Sequence, residues 1–265
     1  MRFAPKVPPL CRYNGAMQNY ADIFQVRGQQ HAEAFQRFPE SVREEVNAIL
    51  ALAAPQPNEI CLDLPAASGF LSRYLSVPGV RMMAVEPSRQ LYDLCKLAVE
   101  HSFMAPLNRL PFQEEHVDVA ICLAGLHHEQ ALDEIFAEVF RILRKGGRFA
   151  IAEVNQGSRP ADFLNGFVNQ HSSLGHAGTF ASGAYVELLE AAGFDVTVDT
   201  VAEYHWRFAS EADMAECLRL MFGIDRAEPG EIISAVSEQL GIDHSPDGAI
   251  GMRWSLRHFL CTKAT

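Results

Sequence analysis

No stretch of this 265-residue chain is apolar for long enough to cross a bilayer. The longest, Val119–Leu126, falls far short of the roughly 20 residues a spanning helix needs. There is no run of Lys or Arg, and the formal net charge is −11. Phosphate-backbone binding needs clustered cations, so nucleic acid is excluded as the main partner. The six cysteines (Cys11, Cys61, Cys95, Cys122, Cys217, Cys261) form no C-x-x-C pair, and three lie inside apolar, strand-like segments. They read as reduced core thiols rather than a disulfide framework, which places the chain in the cytoplasm. The opening MRFAPKVPPL has no apolar signal core, and there is neither an internal repeat nor a low-complexity tract. The most telling scarcity is local. Ile60–Leu75, ICLDLPAASGFLSRYL, reads as strand, small-residue turn and amphipathic helix, yet Pro65, Ala66, Ala67 and Ser68 stand where a phosphate-gripping loop carries glycines. Only Gly69 remains of a G-x-G-x-G pattern, so the expected ligand carries an adenosine but no pyrophosphate.

What is present is a globular composition, 48% hydrophobic and 21% charged, in a chain long enough for one sizeable core. Residues 1–54 read as a helical lead-in: Phe24, Phe35, Val46, Ile49 and Leu50 recur at helical spacing, broken near Phe38-Pro39. From residue 55 to 265, strand-like and helix-like segments alternate. Strands are expected at Ile60–Leu64, Arg81–Glu86, Val117–Leu123 and Arg148–Val154, with helices at Gly69–Leu75, Arg89–Glu100 and Ala131–Leu143 between them. Gly146-Gly147 punctuates the turn into the fourth of these strands. Residues 155–183, rich in Gly, Ser, Asn and His, are long for a connector and read as a lid. A helix at Ala184–Ala192, a strand at Phe194–Val201, a helical insertion within 210–241 and a last strand at Met252–Cys261 complete the chain. The expected fold is α/β: a Rossmann-like, doubly wound, mostly parallel sheet with an antiparallel last strand and a helical cap.

Four segments in this order resemble the class I (Rossmann-like) S-adenosylmethionine-dependent methyltransferases of small-molecule type. Asp63-Leu64-Pro65-Ala66-Ala67-Ser68-Gly69 is similar to their first motif, with Pro65 and Ala67 replacing two glycines. Glu86 matches the acid that binds the ribose hydroxyls, Leu110-Pro111-Phe112 with Val117-Asp118-Val119-Ala120 matches the approach to the fourth strand, and Arg141–Gly147 matches the turn before the fifth. The resemblance spans roughly residues 59–261. It implies S-adenosylmethionine as cofactor, S-adenosylhomocysteine as product, and a small-molecule methyl acceptor with an O, N or C nucleophile. A catalytically inactive cofactor-binding or scaffold protein is the alternative, on the strength of the altered glycine loop.

The cofactor candidates are Asp63, Pro65, Ala67, Gly69, Glu86, Pro87, Leu107, Asn108, Leu123 and Ala124. A carboxylate such as Glu86 at a strand's C-terminal edge can accept from both hydroxyls of a ribose diol, in the crevice where such sheets bind ligands. Asp63 reads either as a ligand contact or as an anchor beneath the loop, and Asn108 either faces the adenine amine or satisfies its own turn. Chemistry is expected at Ala124–Glu129, where His127 and His128 suit proton transfer, with His171 and His176 of the lid as further candidates. Tyr20 and Arg27 lie on a segment placed to fold over the cofactor, and Trp206, Met221 and Phe222 among others are candidates for enclosing the acceptor. No metal is expected, because adjacent histidines on one loop seldom face a single ion and no further ligand is spaced to join them.

Overall fold

The computed structural model describes residues 19–246 and 248–265. Residues 1–18, which include Cys11 and the start of the lead-in, lie outside the described residues. Two helices open the chain, α1 (Tyr20–Arg37) and α2 (Arg43–Ala53), with the Asn19 side chain accepting from the Asp22 N–H as the cap of α1. Between them the chain breaks at Phe38-Pro39, because proline removes a donor and restricts the residue before it.

Strands β1 (Ile60–Asp63), β2 (Arg81–Val85), β3 (His101–Phe103), β4 (Val117–Leu123) and β5 (Leu143–Glu153) pair in parallel in the order β3-β2-β1-β4-β5. Helices α3 (Arg89–Ala98) and α4 (Leu132–Ile142) make crossovers. After β5 the segment read as a lid-like loop is helical in its first half: α5 (Arg159–Phe163) passes through a π-turn at Leu164–Val168 into α6 (Asn169–His171). Then follow α7 (Gly183–Ala191), the long β6 (Asp195–Phe208), α8 (Glu211–Phe222), α9 (Pro229–Gln239), the short β7 (Ile242–His244) and β8 (Ile250–Thr262). β8 runs antiparallel between β5 and β6 and also carries β7. The expected fold class is therefore present, with β3 and β7 added to the strands read from the sequence.

Two local expectations are corrected. The helix after Gly69 is only a single 3-10 turn, Phe70–Arg73; the Ser72 hydroxyl bonds to the Gly69 carbonyl, a local alternative to helical hydrogen bonding. Gly146-Gly147 lies inside β5, not before it: the ladder pairs Val117 with Leu143 and Val119 with Arg148, so the glycines occupy a bulge.

Alternation along the strands divides the core into two layers. Cys61, Val119, Ile121, Ala150 and Ala152 face α2, α8 and α9, whereas Leu62, Cys122, Phe149 and Ile151 face α4 and α7. The order of the parallel strands reverses between β1 and β4, and the crevice beyond their C-terminal ends is the switch point at which such sheets hold ligands.

Candidate functional site

At that crevice the chain leaves β1 through Leu64, Pro65, Ala66 and Ala67. Ala67 sits at φ +48° and Ala124, beyond β4, at φ +50°. Both occupy left-handed backbone that costs a side-chain-bearing residue about 1–2 kcal/mol. The turn that the missing glycines would favour is thus still made, at a conformational cost. Pro65 packs against Gly125, where an added Cβ would come within 2.3 Å of the Pro65 Cγ. Proline in one loop is matched by glycine in the facing one.

Glu86 ends β2 fully buried. Its Oε1 accepts the Ser88 N–H at 2.7 Å and its Oε2 accepts the Tyr20 hydroxyl at 3.0 Å, while the Ala67 N–H also points at it. Burial pushes its pKa up to about 8 against those donors. Asp63, below the loop, is buried with Oδ2 unpartnered, and burial raises it to about 8 as well. It does not line the central cavity, nor do Gly69, Glu86, Pro87, Leu107 or Asn108. Leu107 packs in the core, and the Asn108 amide donates to Glu134 at 2.6 Å, so that asparagine is engaged away from the crevice.

The cavity has a volume of about 90 Å³ and runs from Pro65 and Ala67 past Leu123 and Ala124 to His127, His128 and His176. Trp206, Met221, Phe222 and Trp254 form its apolar end. Trp206 and Trp254 meet on the extended β6–β8 ladder with ring centroids 4.8 Å apart, and the buried Glu45 of α2 accepts the Trp206 indole N–H at 2.9 Å. One face of α1 closes the other side with Tyr20, Phe24, Arg27 and His31. The Arg27 guanidinium is buried, stacks 5.1 Å from the Phe24 ring, and among the described residues makes neither ion pair nor hydrogen bond. Burial lowers it only to about 10, leaving it charged at neutral pH. His31 Nδ1 is likewise buried and unpartnered, and its pKa is pulled down to about 3 by burial and by Arg27.

His127 and His128 stand on a 3-10 turn, Leu126–His128, just after β4, and His176 comes from the lid. Ring centroids are 4.1 Å apart for His127–His128, 5.0 Å for His128–His176 and 5.6 Å for His127–His176. Glu153, the last residue of β5, lies 2.7 Å from His127 Nδ1 and accepts the N–H groups of Leu126 and Val154. Asn165 Oδ1 sits 2.9 Å from His176 Nδ1. Burial, then the neighbouring His127, drives His128 and His176 well below the ordinary imidazole range, so both rings are neutral at physiological pH. The other lid candidate, His171, is not brought in: it faces the Phe167 carbonyl and stacks on that ring. Sequence reasoning missed His31, Glu45, Glu153, Asn165 and Trp254. For His31 a signal existed, since Tyr20, Phe24, Arg27 and His31 recur every three or four residues along one helix face.

Among the described residues no helix is long and apolar enough to cross a membrane, and five cysteines are buried free thiols. Residues 62–151 match the family model described as a methyltransferase domain. A ubiquinone/menaquinone biosynthesis C-methyltransferase of Rubrivivax gelatinosus is 27% identical over 125 residues, 46% of this chain and 48% of that one. An S-adenosyl-L-methionine-dependent Diels-Alderase of Talaromyces variabilis is 30% identical over 165 residues, 54% of this chain and 55% of the other. The chain thus spans about half the length of these curated relatives. A phosphoethanolamine N-methyltransferase of Haemonchus contortus superposes with a TM-score of 0.62 at 13% identity, covering 93% of this chain and 60% of its own. Residues 62–151 are thus similar to a methyltransferase domain, and the chain has the Rossmann-like fold of the superposed structure.

Proposed function

We propose that the chain is a cytoplasmic enzyme that transfers a methyl group from S-adenosylmethionine to an O, N or C nucleophile of a small metabolite. One observation carries this reading: a single cavity joins the Pro65–Ala67 loop, the Ala124 turn and the three histidines, so a donor at the loop and an acceptor at the histidines share one chamber. The residues fit the cofactor. Tyr20, Ser88 and the Ala67 N–H donate to Glu86, which leaves one acceptor site of a carboxylate open, and a ribose diol gains the second by displacing the Tyr20 hydroxyl. When bound, the cofactor supplies an activated methyl group.

The chain's own contribution is then mainly orientation and exclusion of water. Methyl transfer is an in-line displacement, so holding the nucleophile near the methyl carbon yields most of the acceleration. Trp206, Phe222 and Trp254 supply a flat apolar wall, and Arg27 supplies an unpaired positive charge. His127, oriented by Glu153, is placed to take a proton from an acceptor that must lose one, with His128 and His176 beside it.

Calorimetric titration with S-adenosylmethionine and S-adenosylhomocysteine, repeated on Glu86→Ala, tests the reading. With Glu86 raised to about 8 and so largely protonated near pH 7, two hydrogen bonds to the ribose are worth about 1–3 kcal/mol together, so the variant should bind roughly 5- to 150-fold more weakly. Wild-type protein that binds neither ligand would refute it and leave the scaffold alternative.

A further inference from the structure

The three histidines are arranged as metal ligands. One ring nitrogen from each of His127, His128 and His176 lies within 4.8 Å of the other two. Three imidazoles on a tetrahedral zinc ion at about 2.05 Å would hold their nitrogens about 3.3 Å apart, so small χ rotations of buried rings close the set. The surroundings are more specific than the distance. A metal-binding imidazole usually gives its second nitrogen to a carboxylate or carbonyl acceptor, which fixes the tautomer and turns the lone pair toward the ion. His127 has Glu153 at its Nδ1 and His176 has the Asn165 amide oxygen at its Nδ1. His128 is buried between the other two rings, 4.1 Å from His127 and 5.0 Å from His176 by ring centroids.

The supporting shell is itself held in place. Glu153 is fully buried and accepts two backbone N–H groups, and Asn165 Oδ1 accepts the Gly178 N–H at 2.9 Å while its amide donates to the Gly178 carbonyl. Asn169 accepts the His176 N–H, and the Thr179 N–H bonds to the His127 carbonyl at 2.8 Å. The lid that delivers the third ring is therefore tied to the turn that delivers the first two. At Gly178 an added Cβ would lie 3.1 Å from both the His127 and His176 rings, so glycine leaves these rings their space. The expectation that neighbouring histidines would not converge is answered by the 3-10 turn, which sets both rings toward the lid.

We propose that His127, His128 and His176 bind one divalent transition metal of the zinc class, with Glu153 and Asn165 as positioning residues and the open coordination site facing the cavity; with the ion bound, both nitrogens of His127 are engaged and the ion replaces that ring as the group that activates the acceptor. Imidazole nitrogens suit zinc, iron, cobalt, nickel and copper, and three protein ligands with an open position is the pattern of catalytic rather than structural zinc sites. A dication held by neutral rings, near the unpaired Arg27, gives that chamber a positive field. The ligand class it favours is an anionic or ionisable oxygen donor, such as a carboxylate or an acidic hydroxyl. Only this statement of acceptor class rests on the methyltransferase reading; the metal site does not.

The test uses protein purified without a polyhistidine tag, stripped by chelator and titrated with Co(II) and Zn(II), with metal content read by mass spectrometry and Co(II) by its visible absorption. Wild type should take up one Co(II), displaced by Zn(II). His176→Ala and His128→Ala should lose it, and Asn165→Ala should weaken it about 10–100-fold while Asn165→Asp restores it. His171→Ala, outside the cluster, should bind like wild type. Circular dichroism and thermal unfolding establish that each variant is folded. Folded wild type with no stoichiometric Co(II), or uptake unchanged in both histidine variants, would overturn the site. Co(II) uptake in a protein that binds no S-adenosylhomocysteine would leave the metal site standing and remove the cofactor reading instead.

Discussion

Tyr20→Phe probes how the chamber opens. A cavity of about 90 Å³ is well below the roughly 300–1,000 Å³ of small-molecule sites, so cofactor and acceptor enter only if an element moves. The N-terminal half of α1 is the element with most to exchange. Tyr20 donates to Glu86, the carboxylate assigned to the ribose, and its backbone N–H is held by Glu129 beside the histidine turn. The Tyr20 hydroxyl stays protonated, since burial and then Glu86 raise it well above its ordinary value. Phenylalanine keeps the ring packing, 4.5 Å from Phe24, and deletes only the hydroxyl. With Glu86 buried and raised to about 8, the lost bond is a largely neutral one at pH 7, worth about 1 kcal/mol. The variant should therefore unfold more easily by about that amount. If the ribose takes the lone pair that Tyr20 now holds, the variant should bind S-adenosylhomocysteine about 5-fold more tightly, because nothing has to be displaced. Calorimetry against urea unfolding reads both terms. Weaker binding in the variant would refute the reasoning, showing that the hydroxyl supports Glu86 in the bound state rather than competing for it.

Two further outcomes follow from buried groups. Burial pushes Glu45 up to about 8, from an ordinary 4.5, although the Trp206 indole donates to it. The folded state thus keeps a proton that the unfolded chain releases, so this stabilisation is fully present below about pH 4.5 and lost as pH rises through about 8. Between pH 6 and 8 it amounts to roughly 2–3 kcal/mol, and Glu45→Gln, which does not titrate, should unfold with a pH dependence smaller by that amount; equal slopes in urea unfolding would contradict the assignment. Gly125→Ala drives a methyl to 2.3 Å from the Pro65 Cγ and should cost about 1–3 kcal/mol, lowering Tm and loosening the loop over the cofactor. Gly166→Ala, with nothing within 4 Å of its added Cβ, is the control, and equal melting of the two proteins would show that the Pro65–Gly125 contact yields without strain.

The elements legible in the sequence are those whose signal is short-range. β1, β2, β4 and most of β5 are apolar runs bounded by acids or glycines, and α4 carries its buried Leu132, Ile135, Phe136, Val139 and Ile142 at regular helical spacing. The helix after Gly69 failed because side-chain periodicity cannot reveal a serine hydroxyl that engages the backbone of its own turn. β6 continues past Val201 to Phe208 because β8 pairs with it along that whole length, a partner more than forty residues away that outweighs the charges in between.

The candidate site divides along the same line. Pro65, Ala67, Leu123, Ala124, His127, His128 and His176 line the cavity, and all of them sit at or near strand ends or in the lid, where a motif in the chain marks them. Asn108 fails because its competitor, Glu134, lies on another element. Glu153 shows why the histidine chemistry could not be inferred in full: at the end of β5 it reads as one more strand-end acid, and only parallel pairing beside β4 brings its carboxylate against His127. Asn165 is helical in local terms, and its amide oxygen matters only because the lid folds His176 back onto it. Strand-end positions announce that a residue faces the crevice, but what it does there depends on a second element, and at this site the second element supplies each orienting partner.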